Sequence, residues 1–176
     1  EDINGLPLVR RTIESLQASD ATSITVVTGH EADDVTAALA DIAGLSVVHN
    51  PDYNGGLSTS LKAGLAALPK TSNGVVVCLG DMPLVTSDML NALIRAFDPL
   101  EGRSVCVPVF GRKRGNPILW SRAFLGKMAG LSGDLGARPL LEEHSDQVHE
   151  VVMENDGVLF DIDTPEHLQR LKSRLP

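Results

Sequence analysis

Short runs of continuously apolar, mostly β-branched residues recur along the chain and alternate with segments of helical period. ITVV (residues 24–27) and VVVCL (75–79) show no alternation of polar and apolar residues, so both of their faces are expected to be buried. Strands buried on both faces occur in parallel sheets that helices cover on each side. The pattern therefore predicts a doubly wound α/β fold, a mostly parallel sheet with helices on both faces.

Seven strands and seven helices are predicted from this pattern. The predicted strands are residues 23–28, 45–49, 74–79, 104–109, 116–120, 148–153 and 158–160. The predicted helices are residues 6–18, 32–42, 58–68, 87–97, 122–131, 136–144 and 165–175. Thr86 and Thr164 stand at the expected N-cap positions of two of these helices. After Val109 the loops become rich in glycine and charge, which predicts that the later strands are partly antiparallel.

Composition narrows the class of protein. The 176 residues are enough for one domain with a buried core, and the net charge of −8 disfavours nucleic acid and anionic membranes as partners. There is no apolar run of transmembrane length and no signal-peptide pattern. Cys78 and Cys106 lie in apolar runs without CxxC spacing, as buried free thiols of a reducing compartment do. We therefore expect a single cytoplasmic domain that binds a small soluble partner.

Acidic residues come after two of the predicted strands. Ligands of open α/β sheets bind beyond the carboxyl ends of the strands, and Asp81 comes directly after VVVCLG. Asp161 and Asp163 lie in FDIDTP, just before the last predicted helix. Because carboxylates are ligands for hard cations, Asp81 and one of these two predict a magnesium site. The alternative is that these residues only shape a turn or a helix start.

The loop NGGLSTS (residues 54–60) leads into a predicted helix. Backbone N–H groups and hydroxyls at such a helix start can bind an anion, which makes Gly56 and Ser58 candidates for a phosphate site. A plain turn with Ser58 as the N-cap is the alternative. Ser60 stands where the nucleophile elbow of a serine hydrolase requires glycine, so we exclude that class. The chain also lacks the glycine patterns of dehydrogenases and P-loop enzymes.

Basic residues occur in two further loops. GRKRGNP (residues 111–117) places three cations in an otherwise acidic chain, and it is the strongest candidate for binding phosphate. A solvated charged face is the alternative. Arg138 comes after SGDLGA, where it could bind an anion, while Asp134 in the same loop could instead favour the start of a helix through its charge.

Six motifs occur in order over nearly the whole chain: VVTGH, NGGLSTSL, CLGDMPLV, RGNPI, SGDLGAR and FDIDTPEHL. Together they resemble the MobA-like nucleotidyltransferases, and most closely the molybdenum cofactor cytidylyltransferases. The resemblance implies a Rossmann-like, three-layer nucleotidyltransferase fold over residues 1–176. It also implies a reaction that joins CTP to the terminal phosphate of molybdopterin and releases pyrophosphate, with Mg²⁺ as the cofactor.

The same resemblance implies roles for individual residues. The catalytic residues would be Asp81 and Asp163, and the magnesium ligands Asp81, Asp161 and Asp163. The nucleotide would be contacted by Gly56, Ser58, Gly80 and Asp81. The residues on the pterin side would be Arg114, Gly115, Asn116, Asp134 and Arg138.

Members of this family begin with a strand and a glycine-rich L-A-A-G-x-S-x-R-M-G loop, then a lysine, which hold the nucleotide triphosphate. These residues are absent from the chain, and we expect them ahead of Glu1 because a GLPLVRRT segment comes directly after that loop in the family. Base choice depends on that segment, so use of GTP or transfer to a sugar phosphate are alternatives. A non-catalytic nucleotide- or pterin-binding module of a larger protein is another. The expected partners are a molybdoenzyme or its chaperone.

Overall fold

The computed structural model describes residues 2–3, 6–134, 136–162, 167, 169 and 171. The α-helices within this part are α1 (Leu8–Gln17), α2 (Ala32–Ala38), α3 (Leu57–Ala66), α4 (Ser87–Ala96), α5 (Leu125–Ala129) and α6 (Arg138–Glu143). The strands are β1 (Asp2–Ile3), β2 (Leu6–Pro7), β3 (Ile24–Thr28), β4 (Leu45–His49), β5 (Gly74–Val77), β6 (Val105–Phe110), β7 (Lys113–Arg114), β8 (Ile118–Ser121) and β9 (Val148–Val152). No helix among these residues is both long and apolar enough to cross a bilayer.

The larger sheet is organised around β6. On one side β6 pairs with β9 in parallel, and on the other it pairs with β7 and β8 antiparallel. Strand β5 then pairs with β8, also antiparallel. Consequently β5, β6 and β9 run in one direction and β8 in the other, as expected for the later part of the chain. A short antiparallel pair, β1 and β2, precedes α1.

Strands β3 and β4 form a separate parallel pair. Among the described residues, no ladder of hydrogen bonds joins β3 to β5, and both strands are largely half-buried although their sequences are apolar. Helix α3 contacts both sheets. Its Gly64 packs on Val27 of β3, while Leu61 and Leu65 pack against the core cluster around Trp120. Helix α3 thus packs across both the β3–β4 pair and the larger sheet.

The core lies on both faces of β6 and β8. On one face Val105, Val107 and Trp120 pack with residues of α5 and α6. On the other face Cys106 and Leu119 pack with residues of α4. This two-sided burial is what a continuously apolar strand predicts.

Most predicted elements are present with shifted ends, and three differ in kind or length. The predicted strand 158–160 overlaps a 3₁₀ turn, Asp156–Leu159, because the Asn155 side chain accepts the Gly157 N–H at 2.9 Å and curls the chain. The predicted helix 32–42 ends at Ala38 and continues in tighter i→i+3 turns. Residues 6–7 form a strand instead of the first helical turn. The predicted helix 165–175 and its Thr164 cap lie largely outside the described residues.

Candidate active site

Asp81 lies four residues after the end of β5, in a loop that is anchored on both sides. The Thr12 hydroxyl donates to the Gly80 carbonyl at 3.4 Å, and the Ile162 N–H donates to the Asp81 carbonyl at 3.1 Å. The second contact places the backbone next to Asp161 beside Asp81. The two acidic segments, 80 residues apart in sequence, are therefore brought together as the motif analysis expects.

The direction of Asp161 is set by its neighbours. Phe160 and Ile162 are each 8% exposed and share one hydrophobic cluster with Leu8. In extended backbone the residue between two such positions projects to the opposite side, so Asp161 faces away from this cluster. Asp163 lies outside the described residues.

The Asp81 carboxylate affects the ionisation of Cys78, the residue that follows β5. Burial, with a further contribution from the Asp81 carboxylate, raises the pKa of the Cys78 thiol to about 12. Burial also raises the pKa of Cys106 to about 11. Both cysteines are free, as expected, and both hold their protons at neutral pH.

The donor set fits a magnesium ion that shares its ligands with a substrate. No group of three or more His, Cys, Asp or Glu side chains suited to a metal occurs in the described part of the chain. Mg²⁺ is commonly held by only one or two carboxylates together with substrate phosphates and water. Asp81 and Asp161 fit this role. Asp81 is half-buried in the loop after β5, and Asp161 precedes Ile162, whose N–H donates to the Asp81 carbonyl.

The start of α3 is already capped by another loop. Asp134 Oδ1 accepts the Leu57 N–H at 3.2 Å, and the Gly133 carbonyl accepts the Ser58 N–H at 3.1 Å. The expectation that Ser58 is the N-cap is therefore wrong: α3 begins one residue earlier, and Ser58 is buried inside its first turn. Gly56 has a φ of 93°, and a Cβ there would lie against Asp134 Oδ1.

This arrangement also changes how the loop could bind a phosphate. The N–H groups of Leu57 and Ser58, which the sequence offered to an anion, are occupied by Asp134 and Gly133. A phosphate could bind these N–H groups only if the hydrogen bonds to Gly133 and Asp134 broke, so a nucleotide contact by Gly56 and Ser58 would require the two loops to separate. That contact stays a prediction.

Four of the five residues predicted for the pterin side line one cavity of about 280 Å³. Its lining residues are Arg114, Gly115, Asn116, Ile118, Arg138, Leu141 and Glu142. Asp134, the fifth predicted residue, is at the start of α3 instead. A cavity of about 330 Å³ between α1 and the start of α4 contains none of the predicted site residues.

Three lining residues, Ile118, Leu141 and Glu142, were not among the residues predicted for the site. A helical period counted from Arg138 reaches residues 141 and 142, so the signal for two of them was present in α6. Ile118 was assigned only as part of a strand, and nothing in its type distinguishes a cavity wall from ordinary core.

Close backbone contacts hold the loop between β7 and β8 in place. The Gly115 N–H donates to the Pro108 carbonyl and the Asn116 N–H to the Val158 carbonyl, both at 2.9 Å. A side chain on Gly115 would collide with that same Val158 carbonyl, which explains the glycine. Arg114 Nε donates to Glu150 Oε1 at 2.8 Å, so one side of this cavity is fixed by an ion pair.

The cavity and the Asp81 loop lie near the same end of the sheet. Ile118 pairs with Val77, the last residue of β5, so the cavity begins where the chain turns toward Asp81. Val158 contacts Asn116 at the cavity, and Ile162 contacts Asp81. Four residues of extended chain span at most about 14 Å, so a single small molecule can reach from the cavity to the Asp81 loop.

Comparison with known proteins identifies the family of the chain. Residues 1–148 match the MobA-like NTP transferase domain. The chain is 29% identical over 153 residues to the molybdenum cofactor cytidylyltransferase of Escherichia coli (strain K12), covering 86% of this chain and 74% of that protein.

Two solved structures share the fold. Rv0371c from Mycobacterium tuberculosis H37Rv, solved in complex with manganese, superposes with a TM-score of 0.85 at 25% identity, over 99% of this chain and 90% of the other. A nucleotidyl transferase from Methanothermobacter thermautotroptrophicus gives a TM-score of 0.85 at 22% identity, over 98% and 82%. The fold is the Rossmann-like α/β fold of nucleotidyltransferases, and the chain belongs to the MobA-like NTP transferase family.

Proposed function

We propose that this nucleotidyltransferase joins CTP to the terminal phosphate of molybdopterin and releases pyrophosphate. The observation that carries the proposal is the convergence of Arg114, Asn116 and Arg138 in one cavity within reach of the Asp81 loop. Two guanidinium groups suit a substrate phosphate. The similarity to a protein named for molybdenum cofactor cytidylyl transfer supports this choice of substrates.

The reaction needs no covalent intermediate with the protein and no general base. A phosphate monoester has its second pKa near 6, so at neutral pH the attacking oxygen is already ionised and needs no general base. That oxygen attacks the α-phosphorus of CTP, a new P–O bond forms, and the bond to the bridging oxygen breaks as pyrophosphate leaves. Positioning the two phosphates and offsetting their charge are the main requirements.

In this proposal, side chains of the chain meet both requirements. Arg114, held by Glu150, and Arg138 bind the terminal phosphate of molybdopterin. Asp81 acts with Asp161 or Asp163 to hold Mg²⁺, which offsets the charge of the triphosphate. Gly56, Ser58 and Gly80 border the nucleotide in this proposal. The two neutral thiols suit a reducing compartment, and we place the protein in the cytoplasm.

We also propose that the complete domain has a further strand, carrying the glycine-rich loop, between β3 and β5. Three observations support it: β3 and β5 belong to different sheets, both are half-buried, and α3 packs across both sheets. A parallel strand there would complete the sheet and bring its loop to the carboxyl ends of β3 and β5.

The test is pyrophosphate release with Mg²⁺, molybdopterin and CTP, measured on this chain and on a version that carries the glycine-rich segment ahead of Glu1. In the active version, Asp81→Asn should lower kcat by about 100-fold or more, because it removes a charged group from the metal and phosphate site. Asp88→Asn is the matched control: an exposed carboxylate in the first turn of α4, expected to change kcat less than twofold.

Other results of this assay would change the proposed substrates, the proposed reaction or the proposed metal ligand. Turnover with GTP instead of CTP, or with a sugar phosphate instead of molybdopterin, would overturn the substrate pair and keep the reaction type. Nucleotide binding without turnover in either version would support the binding-module alternative. Unchanged activity in folded Asp81→Asn would overturn the metal assignment.

A further inference from the structure

We infer that Glu142 selects the heterocycle of the substrate, by accepting hydrogen bonds from the ring N3–H and the 2-amino group of the pterin. The inference rests on the proposed function, since it names what the Arg114–Arg138 cavity binds besides phosphate. The inference starts from the charges around this cavity, which is lined by two arginines, one of them paired with Glu150, and by one glutamate.

Arg138 and Glu142 lie four residues apart on α6, so they occupy the same helix face. Side chains at this spacing are close enough to form an ion pair. Within the described part of the chain, however, neither side chain makes a hydrogen bond or an ion pair, and both residues line the cavity. Their polar ends are therefore both available to a ligand.

A carboxylate opposes the binding of an anion, so a site for phosphate alone gains nothing from Glu142. The mixture suits a ligand with an anionic group at one end and hydrogen-bond donors at the other. A pterin ring has such donors, because N3–H and the 2-amino N–H point the same way and match the two oxygens of one carboxylate. Cytosine lacks this pair, since its ring N3 is an acceptor.

The remaining lining residues fit the rest of a flat ring. Ile118 and Leu141 are buried apolar side chains that can contact its faces. The Asn116 side chain makes no hydrogen bond to any described residue, and its amide can donate to the ring carbonyl beside N3. The cavity thus offers apolar walls, an acceptor for the donor edge and cations for the phosphate.

The test compares two fluorescent probes that differ at ring position 2 and in the proton on the adjacent N1. Pterin-6-carboxylate has the 2-amino group, and lumazine-6-carboxylate has a carbonyl in its place. The wild-type chain should bind the pterin about tenfold more tightly, because the lumazine carbonyl faces the Glu142 carboxylate without a shared proton. Glu142→Gln should reverse the preference, since its amide donates to that carbonyl and still accepts from N3–H. Glu143→Gln, an exposed neighbour beside His144, is the matched control and should keep the wild-type preference.

Equal binding of the two probes by the wild type, or the same change in Glu142→Gln and Glu143→Gln, would overturn the inference. Guanine carries the same donor pair as pterin. Displacement of the pterin probe by GTP, lost in Glu142→Gln, would overturn the pterin assignment in favour of a guanine site. The probe experiment needs no nucleotide and no turnover. A pterin preference that depends on Glu142, combined with no pyrophosphate release, would therefore reject the proposed reaction and retain this inference.

Discussion

At the scale of single residues, the Asp81 carboxylate and the Cys78 thiol form a linked pair at the end of β5. The carboxylate adds to the effect of burial in raising the pKa of the thiol. A raised pKa means that the folded protein holds the thiol proton more tightly than the unfolded chain does. Both cysteines therefore stabilise the fold at neutral pH and lose that contribution in alkaline solution.

We expect the free energy of unfolding to fall as the pH rises above about 9, the ordinary pKa of a cysteine, and to keep falling through the folded pKa values of about 11 and 12. Urea unfolding between pH 7 and 11 measures the slope. Cys78→Ala removes one of the two groups and should make the decline shallower. A variant with the same slope as the wild type would show that Cys78 is not the group responsible.

At the scale of elements, α3 depends on a residue far from it in sequence. Its first N–H groups are capped by Asp134 and Gly133, and Asp134 lies 77 positions after the residue that it caps. Helix α4 differs, because Thr86 caps it from the adjoining position and accepts the Met89 N–H at 3.4 Å. Local sequence therefore predicted the start of α4 and not the start of α3.

Asp134→Ala should lower the free energy of unfolding by about 1 kcal/mol, the usual cost of removing a cap. Asp134→Asn should retain most of the stability, since its amide oxygen can accept the Leu57 N–H. Urea denaturation of the two variants measures the difference. Equal loss in both would mean that the negative charge, and not the hydrogen bond, stabilises the start of α3.

The difference between local contacts and contacts distant in sequence also explains how much of the site could be predicted. The motifs assigned Arg114, Gly115, Asn116 and Arg138 to one side of the site, and these four residues do line one cavity, while their role there stays a prediction. The motifs could not separate Asp134 from these four residues, because Asp134 shares a motif with Arg138 while its contact is with another element. The strand predicted at 158–160 failed for a local reason: the Asn155 side chain accepts the Gly157 N–H and starts a 3₁₀ turn that reaches Leu159.

At the scale of the whole molecule, the two sheets differ in how they are held. Strand β6 is paired on both sides and buried on both faces. The β3–β4 pair has no hydrogen-bonded neighbour among the described residues, and β4 is half-buried at best. Continuous apolar sequence predicted that β3 and β5 are buried on both faces, yet both are largely half-buried, and full burial is reached along most of β6 and all of β8.

Native-state hydrogen exchange should show this difference. We expect the amides of β6 to be protected up to global unfolding, and those of β3 and β4 to exchange at lower free energy through local opening. In the version that carries the glycine-rich segment, the amides of β3 should gain protection while those of β6 stay unchanged. Equal protection of both sheets in the 176-residue chain would contradict a missing neighbour for β3.

The segment from Val158 to Ile162 has a consequence for which ligands can react. Its first residue contacts Asn116 and its last contacts Asp81, so it ties the two halves of the site to each other. The span between them is limited by chain length and not by the flexibility of either loop. We therefore expect that a substrate pair must bring its reacting groups together within this span, so that molecular length would limit which ligands react at the Asp81 loop while bound in the cavity.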